Sequence, residues 1–237
     1  EAASHFIASR PPQEILSYVA SAPFEHPPLY YLFLHEAMRF LGDTEWSLRF
    51  PSAVLGMALL LGLWRAGTSM GGMPLAMTAI TFAAVSPFLI TYSQEARMYA
   101  LLQCLGLLST MLLHRALLKP GRAGLGLYGL SMVFGVATHY FYVFLLPAHA
   151  LMAAILKPGA SRHILRRVVP VCLAGAAVGA TALVLLPGPR LAATQMLQEG
   201  LWGKSPAAVG RLVIDWAFGG AIITGLPVWA GPLSVAS

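Results

Sequence analysis

Apolar residues fall along this chain in stretches of roughly 17–23, the length needed to cross a hydrocarbon core about 30 Å thick, with short polar breaks between them. The pattern predicts membrane spans over about 47–66, 72–92, 96–118, 124–139, 141–157, 168–187 and 212–233. Basic residues stand at both ends of 124–157, so the chain must leave and return there; two short spans are expected to meet near Thr138-His139-Tyr140. Gly and Pro recur inside the spans (Gly56, Gly62, Gly106, Gly135, Pro147), as closely packed membrane helices tolerate.

Residues 1–46 read differently. Pro12 suits the first turn of a helix through about Ala22, with Ile15, Leu16 and Val19 on one side. A second helix, about Pro28 to Leu41, places Tyr30, Phe33, Leu34, Ala37, Met38 and Leu41 at i, i+3, i+4 spacing. His35, Glu36 and Arg39 take its other, wet side. Its short length and three ionisable groups favour lying in the interface over crossing. If it crossed, the Arg and Lys of 115–122 and 157–167 would face outward, against the positive-inside rule. Asp43-Thr44-Glu45-Trp46 looks like the capped start of the first span, with Arg49 placed to pair with one of those acids.

Charge gives the orientation. Only 10% of residues are charged, against 57% hydrophobic, and the net charge is +6. Alternating the span ends between two faces puts Arg65, Arg115, Lys119, Arg122, Lys157, Arg162, Arg166 and Arg167 on one face with no acid. All nine acids, with the other seven Lys and Arg, fall on the opposite face. The fold class is therefore an all-α polytopic membrane protein of about seven transmembrane helices. Amphipathic juxtamembrane helices (about 12–22 and 28–41) lie in a large first extracytoplasmic loop, 1–46, ahead of a bundle over 47–237. The basic excess is a topology signal, and no basic face with interleaved aromatics suggests nucleic acid as a partner. Cys104 and Cys172 both fall within apolar spans, which argues against a disulfide framework or zinc site. A start at Glu1 without Met, and an end just after an apolar stretch, suggest a piece of a longer polytopic protein.

Four polar clusters meet at the acidic face: Glu1-Ala2 with His5; Glu25-His26-Pro27-Pro28-Leu29-Tyr30-Tyr31; Tyr92-Ser93-Gln94-Glu95-Ala96-Arg97-Met98-Tyr99; and Thr138-His139-Tyr140-Phe141. Ser93 is placed to cap a helix beginning at Glu95, with Arg97 in its first turn. A helix N-terminus with an arginine can bind phosphate; the plainer reading is that Glu95 complements the dipole and Arg97 snorkels to headgroups. His26 precedes two prolines that aim its ring, either to bind a phosphate, sugar hydroxyl or metal or simply to cap a turn. His139 is an ionisable residue where two spans meet, a candidate site by its depth. His5, Glu25, His26, Glu95 and His139 are metal-ligand types, yet no local spacing joins them. No G-x-S-x-G elbow or P-loop is present.

With Arg49-Phe50-Pro51-Ser52-Ala53 and Ser86-Pro87-Phe88, these clusters resemble bacterial integral-membrane glycosyltransferases of the C-type fold. That superfamily includes the protein O-mannosyltransferases and the lipid A aminoarabinose transferase. The resemblance runs from residue 1 to about 155; the H-P-P-L-Y-Y and S-Q-E-A-R-M-Y strings carry it, and 160–237 add little. It implies a polyprenyl-phosphate sugar donor, a protein, lipid or glycan acceptor, and work on the extracytoplasmic face of the bacterial plasma membrane, among membrane lipids. It also implies an acidic general base, typically an Asp immediately before the residue matching Glu1. That Asp and the preceding span are not in the chain, which is therefore expected to be inactive as given. Glu1 and Glu95 are the candidate catalytic carboxylates, and Arg97 the group that stabilises the departing phosphate. His26, Tyr30, Tyr99 and His139 are the expected donor or acceptor contacts. No cofactor is required with certainty; members differ in metal dependence, so a divalent metal stays open. The competing readings are a transporter or flippase of a lipid-linked substrate, and a structural or assembly protein.

Overall fold

Every regular element among the described residues (1–22, 26–119 and 121–156 of a computed structural model) is helical. Helices α1 (Ala2–Ala8), α2 (Pro12–Ser21) and α3 (Leu29–Leu41) precede a 40-residue helix, α4 (Glu45–Ala84). Then come α5 (Pro87–Gln94), α6 (Tyr99–Leu118), α7 (Arg122–Thr138), a 3₁₀ turn (Tyr140–Phe144) and α8 (Leu145–Leu156). The expected spans 168–187 and 212–233 lie outside the described residues, as does Glu25.

The amphipathic periodicity of the first 41 residues produces a small core. Ile7, Ile15, Val19, Tyr30, Leu34 and Met38 are buried together with Met98, the residue that precedes α6. Leu16 departs from expectation: it is exposed, because α2 turns Ile15 and Val19 inward and leaves its neighbour outside. His35 is not on a wet face either. Its Nδ1 lies 2.8 Å from the Ala8 carbonyl, where it fills one of the acceptor positions a helix end leaves open. α3 packs against α1, α2, α4 and α7.

α4 starts as the sequence suggests. Thr44 Oγ1 accepts from the Ser47 amide (3.2 Å), and Ser47 Oγ accepts from the Thr44 amide (3.0 Å). At Gly72 (φ 76°, ψ −167°) the helix breaks, a left-handed conformation that glycine adopts without a Cβ penalty. The two arms fold back on each other: Gly67 lies directly against the Ala76 backbone, and Gly56 against Ser93 of α5. The expected spans 47–66 and 72–92 are thus antiparallel neighbours, as small residues permit by letting backbones approach. The second arm is not continuous through 92. Pro87 forces Ser86 into an extended conformation (ψ 113°), and α5 restarts with Ser86 Oγ accepting from the Leu89 amide.

Among the described residues, α4 and α6 are long and apolar enough to cross a membrane; α7 and α8 are apolar but shorter. Polar contacts pin the second half together. His149 lies 3.0 Å from both Thr110 Oγ1 and Tyr128 Oη, and Tyr142 Oη 2.8 Å from Ser109 Oγ. Among the described residues the acids stand on α1–α4 and the α5–α6 connection, while Arg65, Arg115 and Lys119 stand toward the α4 turn and the α6–α7 junction.

Two glycines test this packing. Gly67→Ala places a methyl inside the Ala76 backbone and should destabilise by about 1–3 kcal/mol. Gly106→Ala, with nothing within 4 Å of its added carbon, should gain up to about 1 kcal/mol from helix propensity. Unfolding midpoints of the two variants in detergent should move in opposite directions.

Candidate functional site

Glu1 ties three segments together. Its carboxylate accepts from Arg49 Nε (3.0 Å) and Nη2 (2.8 Å), a two-pronged pair, and Oε1 also accepts from the Ala96 amide (3.2 Å). Arg49 Nη2 also reaches Glu45 at 2.9 Å, as the sequence suggests for one of the neighbouring acids. The start of α1, the first turn of α4 and the α5–α6 connection are thereby held at one end of the bundle. Arg49's hydrogen bonds hold the Glu1 carboxyl below its ordinary range, against the opposing pull of burial, with the Ala96 amide adding to the lowering. Glu1 is a fixed anion with weak basicity.

The connection 95–98 differs from expectation. Ser93 does not cap a helix at Glu95: its hydroxyl donates to the Ile90 carbonyl (2.7 Å) at the end of α5. Glu95 is extended (φ −98°, ψ 142°), the Arg97 amide closes a tight turn on the Glu95 carbonyl (2.8 Å), and α6 begins only at Tyr99. The chain must reverse between two packed helices here, and a continuous helix from Glu95 would prevent that. Arg97 is therefore on a turn just before α6. It is exposed, and its side chain has no ion pair among the described residues.

Around it stand the other candidates. The His26 and His139 rings stack, centroids 4.6 Å apart and planes 31° apart, though 113 positions separate them in the chain. Tyr99 lies 6.1 Å from His139 and 4.2 Å from Tyr92, ring centre to ring centre. His139 is extended at the close of α7, and its Nδ1 accepts from the Phe141 amide (3.1 Å), which in the neutral ring leaves the proton on Nε2. Burial holds the His26 imidazole down at about 4, and the adjacent His139 and Arg97 add to it. Tyr30 is buried within reach of the Glu1 and Arg97 charges, and burial raises its hydroxyl above the ordinary phenol range. Its hydroxyl and that of Ser52 lie buried near each other, neither with a hydrogen-bond partner of good geometry.

Glu1, His26, Tyr30, Glu95, Arg97, Tyr99 and His139 thus gather at one end, through a chain of contacts that no local spacing reveals. Ser52, Tyr92 and the Arg49–Glu1 link are additions to the expected set; Arg49 and Ser52 sit in the Arg49-Phe50-Pro51-Ser52 string, the signal that marked them. Among the described residues no three His, Cys, Asp or Glu side chains come together as donors for a cation.

The described residues form an apolar helical bundle with two helices long enough to cross a membrane, and Glu1, His26, Glu95, Arg97 and His139 stand at one end of it. Residues 25–186, about two thirds of the chain, match the family model described as dolichyl-phosphate-mannose-protein mannosyltransferase, and the chain belongs to that family of membrane glycosyltransferases. The match begins at the H-P-P cluster and extends beyond residue 155, farther than the sequence strings alone carry. No curated protein and no solved structure matches the chain significantly.

The half-buried His26 makes stability depend on pH. Between 6.5, where the unfolded imidazole titrates, and about 4, the unfolded chain binds a proton that the folded chain excludes. Stability is therefore full above 6.5 and falls as pH is lowered through this window. Glu1 acts lower, its contribution present above 4.5 and lost as pH falls below that. His26→Phe, which keeps a ring against His139, should shrink the stability lost between pH 7.5 and 5.0 by on the order of 1–2 kcal/mol. Detergent unfolding at the two pH values measures it.

Proposed function

We propose that the chain transfers a sugar from a polyprenyl-phosphate donor to an acceptor at the extracytoplasmic face of a bacterial plasma membrane. The observation that carries this reading is the exposed, unpaired guanidinium of Arg97 beside the stacked His26–His139 pair. As the glycosidic bond breaks, negative charge grows on the departing lipid phosphate, and a fixed cation there lowers the barrier. Arg97 supplies that charge. The Nε2–H of His139 provides a neutral donor for a phosphate or sugar oxygen, the buried Tyr30 supports the wall behind the site, and the faces of Tyr99 and Tyr92 offer apolar surface to a sugar ring.

A carboxylate takes the acceptor's proton as the new bond forms. Two are at hand. Glu1 is locked by Arg49 and the Ala96 amide, so its part is to fix the backbone over the α5–α6 turn. In the superfamily pattern an Asp precedes it. Glu95 is half-buried, and its side chain has no ion pair among the described residues; it is the other carboxylate in position. The acceptor is a protein, lipid or glycan, the first being the one the family description names. Charged side chains at helix ends rather than within the spans favour surface transfer over transport.

The test uses the full-length protein in proteoliposomes with a radiolabelled polyprenyl-phosphate sugar. Arg97→Ala is expected to lower transfer about 10²–10³-fold, as loss of a donor aimed at developing charge does elsewhere. Glu1→Gln should lower it and weaken folding together, because the Arg49 link goes with it. Substituting the Asp before Glu1 by Asn separates the two carboxylates. Undiminished transfer in the Arg97 and Asp variants alike would sink the assignment.

A further inference from the structure

We propose that the opposite, basic end of the bundle holds a binding site for the phosphate group of an anionic phospholipid. A cavity of about 470 Å³ opens between the turn of α4 and the α6–α7 junction. Arg65 lines it from the first arm of α4, His114 and Arg115 from the last turns of α6, and Lys119 from that helix's C-terminal cap. None of the three cations has an ion pair among the described residues, and every described acid stands at the other end.

Charge at a helix C-terminus has an ordinary explanation: it complements the dipole and obeys the positive-inside rule. That accounts for Arg115 and Lys119 singly. It does not account for a hollow that brings them into one cavity with Arg65, from a different helix, where like charges repel. An anion between them removes the repulsion. The remaining wall selects the kind of anion. Met70 (38% exposed) and Leu118 (57% exposed) carry apolar surface to the cavity beside the cations. A free phosphate has no use for that surface, whereas a phospholipid places its phosphate on the cations and its glycerol and first methylenes on the methionine and leucine. Basic pockets between membrane helices suit such headgroups. The cavity lies at the far end of the bundle from Arg97 and the stacked imidazoles, so the inference stands apart from the transfer reading.

Native mass spectrometry of the full-length protein, exchanged from detergent into defined lipid, tests this. The wild type should retain phosphatidylglycerol in preference to phosphatidylcholine. Arg65→Ala and Arg115→Ala should each weaken phosphatidylglycerol retention about fivefold, and Arg115→Lys should restore most of it. Arg39→Ala, an exposed cation at the other end, should leave retention unchanged. Folding is checked independently by the unfolding midpoint of each variant. Equal retention by the wild type and a folded Arg65→Ala/Arg115→Ala double variant overturns the proposal, as does equal loss in Arg39→Ala. Displacement of the lipid by millimolar inorganic phosphate would assign the cavity to a soluble anion and overturn the lipid.

Discussion

The grip of Arg49 on Glu1 organises the polar end of this protein. Three helical segments far apart in the chain meet there, and each brings part of a single hydrogen-bonded unit: a carboxylate from the head of α1, a guanidinium from the first turn of α4, and a backbone amide from the α5–α6 connection. A bidentate pair of this kind fixes angle as well as distance. Because Ala96 is held, Arg97 beside it is held too. The residue whose amide receives Glu1 thus also sets where Arg97 stands.

The apolar body answers to a different constraint. Between helices in lipid there is little hydrophobic gain from association, so contact depends on close backbones and a few internal polar links. Gly67, Gly56 and Gly62 supply the close approach within the α4 hairpin, against α5 and against α6 respectively. His149, Thr110 and Tyr128 supply polar links across α6, α7 and α8, and Gly135 lets the Tyr142 ring seat directly on α7. Among the described residues the result is a frame whose two ends differ in chemistry: the stacked imidazoles, the carboxylates and Arg97 at one, Arg65, Arg115 and Lys119 without acids at the other.

Much of the fold was legible from periodicity. The bounds of α2 and α3, the capped start of α4 at Thr44 and the break between α7 and α8 at His139 follow from proline placement, capping residues and apolar length, all local quantities. The misreadings were local as well. Ser93 resembles an N-cap because a hydroxyl precedes an acid and an arginine, but the same hydroxyl can donate back to its own helix, and only the packing of α5 against α4 decides between them. The charged neighbours of His35 suggest a solvated ring; the Ala8 carbonyl opposite it is invisible to spacing.

By itself the sequence determined that the helices form, which residues line their apolar faces, which charges share an end, and which strings mark the family. Those follow from interactions within a few residues and from the preference of charge for water. The tertiary structure decided what each polar residue does there: that Glu1 is clamped while Arg97 is not, that His26 stacks on His139, and that Arg65 shares a cavity with Arg115 and Lys119. Partners 48, 95 and 113 positions apart meet only when whole helices pack, and no local rule of spacing encodes which of several like side chains will be brought face to face.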